Sequence, residues 1–589
     1  MSEVKVNKVS PRSGTTLTIG DSGDTTNIVG TLQNNGSELT GDISSVVAGT
    51  GLSGGGTSGD VTLNVDLTSK QGGTNFTNSL LVGTSSTGTL STATGNIGVG
   101  QTVFAALTSG DNNVAVGRDS LKCNTTGTEN TAVGNQALCG NSTGNYNTAV
   151  GSFALLDVDA GADNNTAVGR SSMITLQTGD GNTAVGSQSL RSATTPDYNT
   201  AVGYCSLYTT TTGGNNTAVG FAALGDNTTG TANTAFGKTA LVRNTTASCN
   251  TAVGMNSLFT NTTGADNTSV GACALFANTT ASDNVAIGCG AMIATTTGCR
   301  NVAIGSGAMD TNTTGDKNVA IGHTTMYAAT TADCNTGVGY GALSANTTGG
   351  CGTAVGGGAL TTNTTGLRNT AVGVNALNDN TTANDNTAIG AQSNLCNTTG
   401  CHNTSVGSNT FNRNTTGICN TAVGFLASYL NTTGNNNTTI GFEAGCKIST
   451  GGQNTALGRK ALENLTTGSN NIGIGDTSGG DSVGNFTTQS NKIAIGNNSH
   501  DEALIKIDWT VTSDLRDKTN IEDVPYGLDF VNQINPIKYK FKKSRENEIP
   551  TGRARFGFKA QEILELEGDN PILVNNKDTD NLKLTGAYL

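Results

Sequence analysis

The chain has 589 residues, of which 82 are Gly and 6 are Pro, and its formal net charge is −12. Hydrophobic residues make up 34% and aromatic residues 4% of the sequence, too few for several ordinary globular cores, while only 13% charged residues argues against a disordered coil. We therefore expect a regular architecture that buries many small side chains. The acidic balance disfavours a nucleic-acid partner, because phosphate binding needs clustered Lys and Arg.

The chain shows no sign of membrane insertion, disulfides or metal binding. It has no run of about 18 apolar residues, and the segment from Met1 to Val6 lacks the apolar core of a signal peptide. The 13 cysteines form no C-x-x-C motif, and there are only three His residues. We expect cytosolic synthesis, free thiols that are buried or half-buried, and no metal or other cofactor.

Residues 1–95 form an N-terminal region without the repeat that follows. Within it, the segment Gly49–Val65 has a Gly-rich turn and then alternates like a β-strand. The segment resembles those common in the shafts of phage tail fibres. From its position in the chain, we expect this end to attach the protein to a virion tail or baseplate protein.

A 17-residue repeat fills residues 96–475. The string Asn-Thr-Ala-Val-Gly, or a close variant, occurs 23 times, and the spacing is 17 residues except for one step of 18 between Asn147 and Asn165. The full unit reads N-T-A-V-G-x-x-A-L-x-x-N-T-T-G-x-x, and its residues are called here the first to the seventeenth position. Self-similarity at a fixed period is typical of a solenoid.

The chemistry of each position predicts the shape of one coil. The fourth position is always apolar and the ninth is usually Leu or Met, so we expect both to form the core. The fifth is Gly in all 23 copies, which indicates a bend. The N-T-T-G stretch predicts a second corner, because Asn tolerates the left-handed conformation and can bond its own backbone. One coil would thus be a strand, a bend, a second apolar stretch and a turn.

A unit this short cannot bury its apolar face alone, so the coils must stack. Gly, Thr and Val dominate, which favours β over α structure. The motif resembles the head repeats of trimeric autotransporter adhesins, in which a similar unit builds a left-handed parallel β-roll. We predict a mainly β fold, a left-handed parallel β-solenoid of 17-residue coils, in which three chains pack their Leu or Ala faces together.

The repeat breaks after Gly475, and residues 476–512 are predicted to hold transition strands, including an alternating segment around the only Trp, Trp509. From Ser513 the composition changes abruptly. Residues 513–589 carry 12 basic and 13 acidic side chains in 77 residues and contain four of the six prolines. We assign this segment to a separate small α+β domain.

The domain opens with the pattern S-D-x-R-x-K at Ser513 to Lys518, followed by I-N-P-I-K-Y-K-F from Ile534 and G-F-K-A-Q-E from Gly557. These motifs resemble the intramolecular chaperone, or auto-processing, domain at the C-terminus of phage endosialidases and tail spikes. The resemblance implies that the bond between Thr512 and Ser513 is cleaved, with Ser513 as nucleophile and Lys518 as assisting base. On spacing alone, the Ser-Asp pair is also the pattern of a helix cap. Because the family domain continues past the segment that matches Leu582–Leu589, we expect this domain to be truncated.

Together these features predict a structural tail-fibre or adhesin-like virion protein. It would assemble as a homotrimer in the host cytoplasm, act once as an autocatalytic Ser-Lys peptidase on its own chain, and bind a host surface receptor such as a glycan. Aromatic residues just after the conserved Gly are candidate receptor contacts: Tyr204, Phe221, Phe425 and Phe442.

Two alternatives stay open. One is a tail spike that degrades polysaccharide, which would need two converging carboxylates. Asp266, Asp283 and Asp333 fit solvated turn residues better than such a pair. The other alternative is a purely structural adhesin without self-cleavage.

Overall fold

The computed structural model describes residues 75–83, 87–158, 161–481, 484–500, 527–542 and 549–568, together with a few short strands outside these ranges. The chain divides into two compact units, Met1–Gly181 and Asn182–Leu589. Among the residues described, no helix has the length and hydrophobicity needed to cross a bilayer.

The first unit contains six parallel strands of three residues each, one per coil. They are Leu80–Val82, Ile97–Val99, Val114–Val116, Thr131–Val133, Thr148–Val150 and Thr166–Val168. A second parallel pair joins Phe76–Thr77 to Ala93–Thr94. Two antiparallel pairs precede it: Gln33–Asn34 with Ser37–Glu38, and Leu52–Gly54 with Leu63–Val65. The last strand lies in the alternating part of Gly49–Val65, as the sequence predicted.

The second unit contains 19 such parallel strands. They are Thr183–Val185, Thr200–Val202, Thr217–Val219, Thr234–Phe236, Thr251–Val253, Thr268–Val270, Val285–Ile287, Val302–Ile304, Val319–Ile321, Thr336–Val338, Thr353–Val355, Thr370–Val372, Thr387–Ile389, Thr404–Val406, Thr421–Val423, Thr438–Ile440, Thr455–Leu457, Ile472–Ile474 and Ile493–Ile495. Its C-terminal part is α+β, with helices Leu528–Gln533 and Ala560–Glu567 and strands Ile537–Lys542, Pro550–Gly557, Val574–Asn575 and Lys583–Leu584.

Neighbouring coils pair in exact register. Thr131 lies opposite Thr148, Ala132 opposite Ala149 and Val133 opposite Val150, and the same pairing recurs along each unit. The predicted parallel β-solenoid of 17-residue coils is therefore confirmed. Stacking begins at Leu80–Val82, one coil before the first clear repeat, and it includes Ile493–Ile495 after the period has broken.

The core of a coil differs from the predicted one at one position. In the coil that begins at Asn130, Ala132, Ala137 and Leu138 are fully buried, but Val133 is 37% exposed. The prediction that the fourth position is core is wrong, because the inward residue of a three-residue strand is the central Ala and its two neighbours point outward. The prediction for the ninth position is confirmed.

The glycine at the fifth position makes the bend. Gly134 has φ +141°, and a Cβ added there would lie 2.4 Å from the carbonyl oxygen of Gly151 on the next coil. Both a rare backbone conformation and a close approach therefore require Gly, as expected from its presence in every repeat.

The second apolar stretch is a series of turns and not a strand. Gln136, Leu138 and Tyr146, at the seventh, ninth and seventeenth positions, all have positive φ between 53° and 57°. These residues, and not the Asn of N-T-T-G, supply the left-handed corners. Non-Gly residues adopt this region at some cost, which the regular bonds to both neighbouring coils offset: the N–H of Gln136 donates to Arg118 O at 2.8 Å and that of Leu138 to Ala154 O at 2.9 Å.

Two ladders of buried asparagines run through the coils. At the first position, Asn130 Nδ2 donates to Asn113 Oδ1 at 3.1 Å and to Gly144 O at 2.8 Å. At the twelfth position, Asn244 Nδ2 donates to Asn227 Oδ1 and to Ala247 O, both at 2.9 Å. Each side-chain amide thus satisfies groups of its own coil and of a neighbour, which is how a buried polar group becomes tolerable.

Candidate functional site

The described part of the C-terminal segment is an antiparallel hairpin between two short helices. Strands Ile537–Lys542 and Pro550–Gly557 pair with Ile537 opposite Gly557 and Lys542 opposite Pro550, and the register shifts between Tyr539 and Phe541. The Lys538 ammonium lies 5.9 Å from the centroid of the Phe556 ring, its partner across the hairpin.

The second helix anchors the chain that follows it. Ile563 is buried on the inner face of Ala560–Glu567, and Gly568 ends the helix with φ +67°. Glu567 is also buried, and its Oε2 accepts the backbone N–H of Val574 at 2.9 Å. Val574–Asn575 pairs in turn with Lys583–Leu584. This small module is the α+β domain that the change of composition predicted.

Several large apolar side chains of this segment are exposed. Leu528 is 74% and Phe556 80% accessible, and Val531 and Ile549 are also exposed. The helix Leu528–Gln533 has no buried residue. A small domain that exposes so much apolar surface is suited to packing against another surface.

The predicted catalytic residues Ser513 and Lys518, and Thr512 on the other side of the predicted scissile bond, lie outside the described residues. Their roles stay a prediction from the sequence. Along the sequence, the described elements on either side of them are the coil that ends near His500 and the helix that begins at Leu528.

One outward face of the solenoid strands is uncharged throughout. We call it the outer stripe: the side chains at the second and fourth positions of every coil. Thr, Val or Ile fills the second position and Val, Ile, Leu or Phe the fourth, and no charged residue occurs at either. Fourth-position side chains such as Val150, Ile304 and Leu457 are more than a third exposed. The stripe was not predicted from the sequence, because the fourth position was expected to lie in the core.

The aromatic residues after the conserved Gly are exposed and stack in pairs. Tyr204 and Phe221 have ring centroids 5.6 Å apart, and Phe425 and Phe442 are 5.7 Å apart. Consecutive coils place equivalent side chains above one another, so the pairing follows from the repeat. The sequence signal was available: each pair is separated by 17 residues.

The acidic residues at the sixteenth position serve the coil itself. Asp333 Oδ1 accepts the backbone N–H of Asp316, and Asp316 Oδ1 accepts that of Cys299, both at 2.7 Å. Asn145, Ser248 and Asn435 accept the same bond from the coil before them. A structural role therefore explains Asp333.

The 13 cysteines are all free, and seven of them are half-buried, as expected. The expectation of buried or half-buried thiols is wrong for the other six, which are exposed: Cys123, Cys249, Cys289, Cys334, Cys351 and Cys419. Across the part of the chain that the structure describes, no group of three or more His, Cys, Asp or Glu could hold a metal ion.

Comparison with known protein families gives a match in the C-terminal segment. The sequence profile of a family described as chaperone of endosialidase, a peptidase family, matches residues 513–570. The match begins at Ser513 and includes Lys518, the hairpin and the second helix. This segment is thus similar to a family of autoproteolytic intramolecular chaperones. No curated protein matches the chain.

The chain therefore combines a β-solenoid body with a C-terminal segment similar to the chaperone of endosialidase. That combination fits a tail-fibre-like protein with a C-terminal chaperone.

Proposed function

We propose that the chain is the subunit of a homotrimeric structural fibre of a virion tail. The C-terminal domain would align three copies during folding and then be released by cleavage between Thr512 and Ser513. The match of residues 513–570 to the chaperone of endosialidase carries this proposal.

The outer stripe supports self-association. A column of β-branched side chains that runs the length of each unit without a charge needs a partner with the same period, and a second or third copy of the chain supplies it. Burial of such a face is favourable by about 25 cal/mol per Å² of apolar surface removed from water. The proposed interface differs from the one predicted from sequence, because the Leu and Ala faces are already buried inside each coil.

A detachable chaperone solves a folding problem of this architecture. Each described solenoid strand pairs with strands one coil away, and among the described residues Leu80–Val82 and Ile493–Ile495 are paired on one side only. Such open strand edges favour misassembly. A domain that brings three chains together in register disfavours this misassembly. The exposed Leu528 and Phe556 are the side chains we expect at contacts between copies of the domain.

The cleavage step uses only residues of the matched segment and the bond before it. The Ser513 hydroxyl would attack the carbonyl carbon of Thr512 while Lys518, in its neutral form, accepts the proton. The C–N bond between Thr512 and Ser513 would break as the ester to Ser513 Oγ forms, and the amine released on Ser513 would take up the proton from Lys518. Water would then hydrolyse the ester, leaving a carboxylate on Thr512 and Ser513 as the new N-terminus. The N-terminal region would bind the virion tail or baseplate, and a host receptor, such as a glycan, would bind the released fibre.

The intact mass of the recombinant chain tests the cleavage. Wild type is expected to yield a 77-residue fragment that starts at Ser513, and Ser513→Ala is expected to remain full length. Ser499→Ala, an exposed serine upstream of the junction, is the control and should cleave like wild type. Full-length wild-type protein would rule out self-cleavage and leave the structural adhesin.

A further inference from the structure

Two cysteines on consecutive coils of the first unit face each other. Cys123 occupies the eleventh position of the coil that begins at Asn113, and Cys139 the tenth position of the next coil. The backbone N–H of Cys123 donates to Cys139 O at 3.1 Å, and the Cys123 side chain is near enough to help raise the pKa of Cys139. Stacked coils joined by backbone hydrogen bonds lie about 4.8 Å apart, a spacing comparable to the Cα separation of roughly 4.4–6.8 Å that a disulfide spans.

We propose that Cys123 and Cys139 are a redox-controlled pair whose disulfide covalently cross-links these two coils. The inference stands independently of the proposed function, because it depends only on the stacking of coils within the first unit. Both thiols are free in the structure, which therefore describes the reduced state. The pair also lies outside the outer stripe, so self-association through that stripe leaves it accessible.

The surroundings of the two thiols give them different roles. Cys123 is exposed and Cys139 is only partly exposed. Burial, chiefly, raises the pKa of Cys139 to about 11; the neighbouring Cys123 and Asp119 act in the same direction and Lys122 opposes them. Because the thiolate is the nucleophile, Cys123 is the thiol that meets an external oxidant first, and Cys139 resolves the product.

The reaction balances with a small-molecule disulfide, such as oxidised glutathione, as the oxidant. The Cys123 thiolate attacks one sulfur of the oxidant and forms a mixed disulfide, releasing one thiolate. Cys139 then loses its proton to solvent and its sulfur attacks Cys123 Sγ, releasing the second thiolate. In total, two protein thiols lose two electrons and two protons, and the oxidant is reduced to two thiols.

Tryptic digestion isolates this cysteine pair in a single peptide. Trypsin cleavage after Lys122 and Arg170 releases a peptide, 123–170, whose only cysteines are Cys123 and Cys139. Cleavage after Arg368 and Arg413 releases a second two-cysteine peptide, 369–413, with Cys396 and Cys401. These two cysteines share one coil and bond elsewhere, since Cys401 Sγ accepts the Asn384 N–H at 3.3 Å. The second peptide is therefore an internal control.

The full chain is treated with oxidised glutathione, its remaining thiols are alkylated in denaturant, and the digest is analysed by mass spectrometry. We expect peptide 123–170 to lose two hydrogen atoms and escape alkylation, with a linked-to-alkylated ratio about a hundredfold above that of peptide 369–413, because the stacked coils hold Cys123 beside Cys139 and so raise their effective concentration. Equal ratios in the two peptides, or glutathione left on both cysteines, would overturn the proposal.

A variant separates the two steps. In Cys139→Ser the first step is intact and the second cannot occur, so Cys123 should accumulate as the glutathione mixed disulfide. If Cys123 in this variant were to remain an alkylated thiol under conditions that link the wild-type pair, the proposed order of attack would be wrong.

Discussion

At the scale of single residues, the glycine at the fifth position is the most constrained part of the coil. Gly373 has φ +137°, and an added Cβ would lie 2.5 Å from Gly390 O on the next coil. Gly341, at the seventh position of its coil, also has positive φ, +63°, but an added Cβ there meets nothing within 4 Å. Gly373 is therefore required both by its φ angle and by the close approach of the next coil, whereas Gly341 is favoured by its φ angle alone.

Gly373→Ala is therefore expected to lower the free energy of unfolding by about 3 kcal/mol or more, because it adds a clash with backbone to a strained conformation. Gly341→Ala, the matched control, should cost about 1 kcal/mol, the price of a left-handed alanine. Thermal or chemical denaturation of both variants measures the difference. Equal losses would show that the coils can separate locally to admit a methyl group.

A second residue-scale feature is Asn394, which replaces the usual Leu at the ninth position. It is fully buried, and neither Oδ1 nor Nδ2 has a hydrogen-bond partner among the described residues. The next coil carries the bulky Phe411 at the equivalent position, also buried. The leucine column is interrupted here by a polar residue and then by a larger one, and the next two coils carry Ser428 and Gly445 at the same position.

We predict that the double substitution Asn394→Leu with Phe411→Leu, which places Leu at the ninth position of both coils, raises the free energy of unfolding by about 1–3 kcal/mol, because it removes two unsatisfied buried groups. Phe411→Leu alone is the control and should destabilise by about 1 kcal/mol, since it removes volume and leaves Asn394 in place. Thermal denaturation measures both changes. A double variant that melts below wild type would mean that Asn394 is satisfied by bound water.

At the scale of elements, the asparagine ladders hold the coils together. Asn261 Nδ2 donates to Asn244 Oδ1 at 3.0 Å and to Gly264 O at 2.9 Å, and its own Oδ1 accepts from Asn278 at 2.7 Å. An aspartate of the same shape would face two oxygens with no proton to donate unless its carboxyl group were protonated.

Asn261→Asp should therefore make stability depend on pH. Burial raises the pKa of the new carboxyl in the folded state above its unfolded value of about 3.9. The free energy of unfolding is then greatest below about pH 4 and falls as the pH rises from there through the pKa of the folded state. At pH 7 it should be lower than that of the wild type by about 3 kcal/mol or more. Asn436→Asp, at an exposed seventeenth position, is the control and should show little change. Equal stability of Asn261→Asp at pH 4 and pH 7, measured by chemical denaturation, would contradict the prediction.

The element scale also shows what the sequence could predict. The period, the glycine bend and the buried ninth position followed from the pattern, because each depends on residue types that recur in all or most copies. The direction of the fourth position did not. Val133 is more hydrophobic than Ala132, yet the smaller residue points inward, since a coil this narrow has room only for Ala beside Leu138. Hydrophobicity alone does not reveal which side of a three-residue strand faces the core.

The candidate site was predictable to a different degree. The motif at Ser513 and the change of composition located the chaperone-like segment that the family profile later matched. The contact between Cys123 and Cys139 was missed because the two residues occupy non-equivalent positions of the repeat. They meet because the N–H at the eleventh position of one coil bonds the carbonyl at the tenth position of the next, an offset that the sequence does not display.

At the scale of the whole molecule, the proposed homotrimer depends on self-association through the outer stripe. Three consecutive coils have apolar residues at both outward positions, Val285 with Ile287, Val302 with Ile304, and Val319 with Ile321. We expect this stretch to contribute strongly to the interface, because all six of its outward side chains are apolar.

Native mass spectrometry of Ile304→Lys beside Val374→Lys tests this claim most directly. Ile304 is a stripe residue and 36% exposed, whereas Val374 lies just after the conserved Gly, is 56% exposed and lies outside the stripe. Both substitutions place a charge on an exposed apolar position, but only the lysine introduced in place of Ile304 would be buried between copies without a partner, at a cost of several kcal/mol. We predict a trimer for wild type and Val374→Lys, and loss of the trimer for Ile304→Lys. A monomeric wild type, or a trimer that survives Ile304→Lys unchanged, would contradict the account.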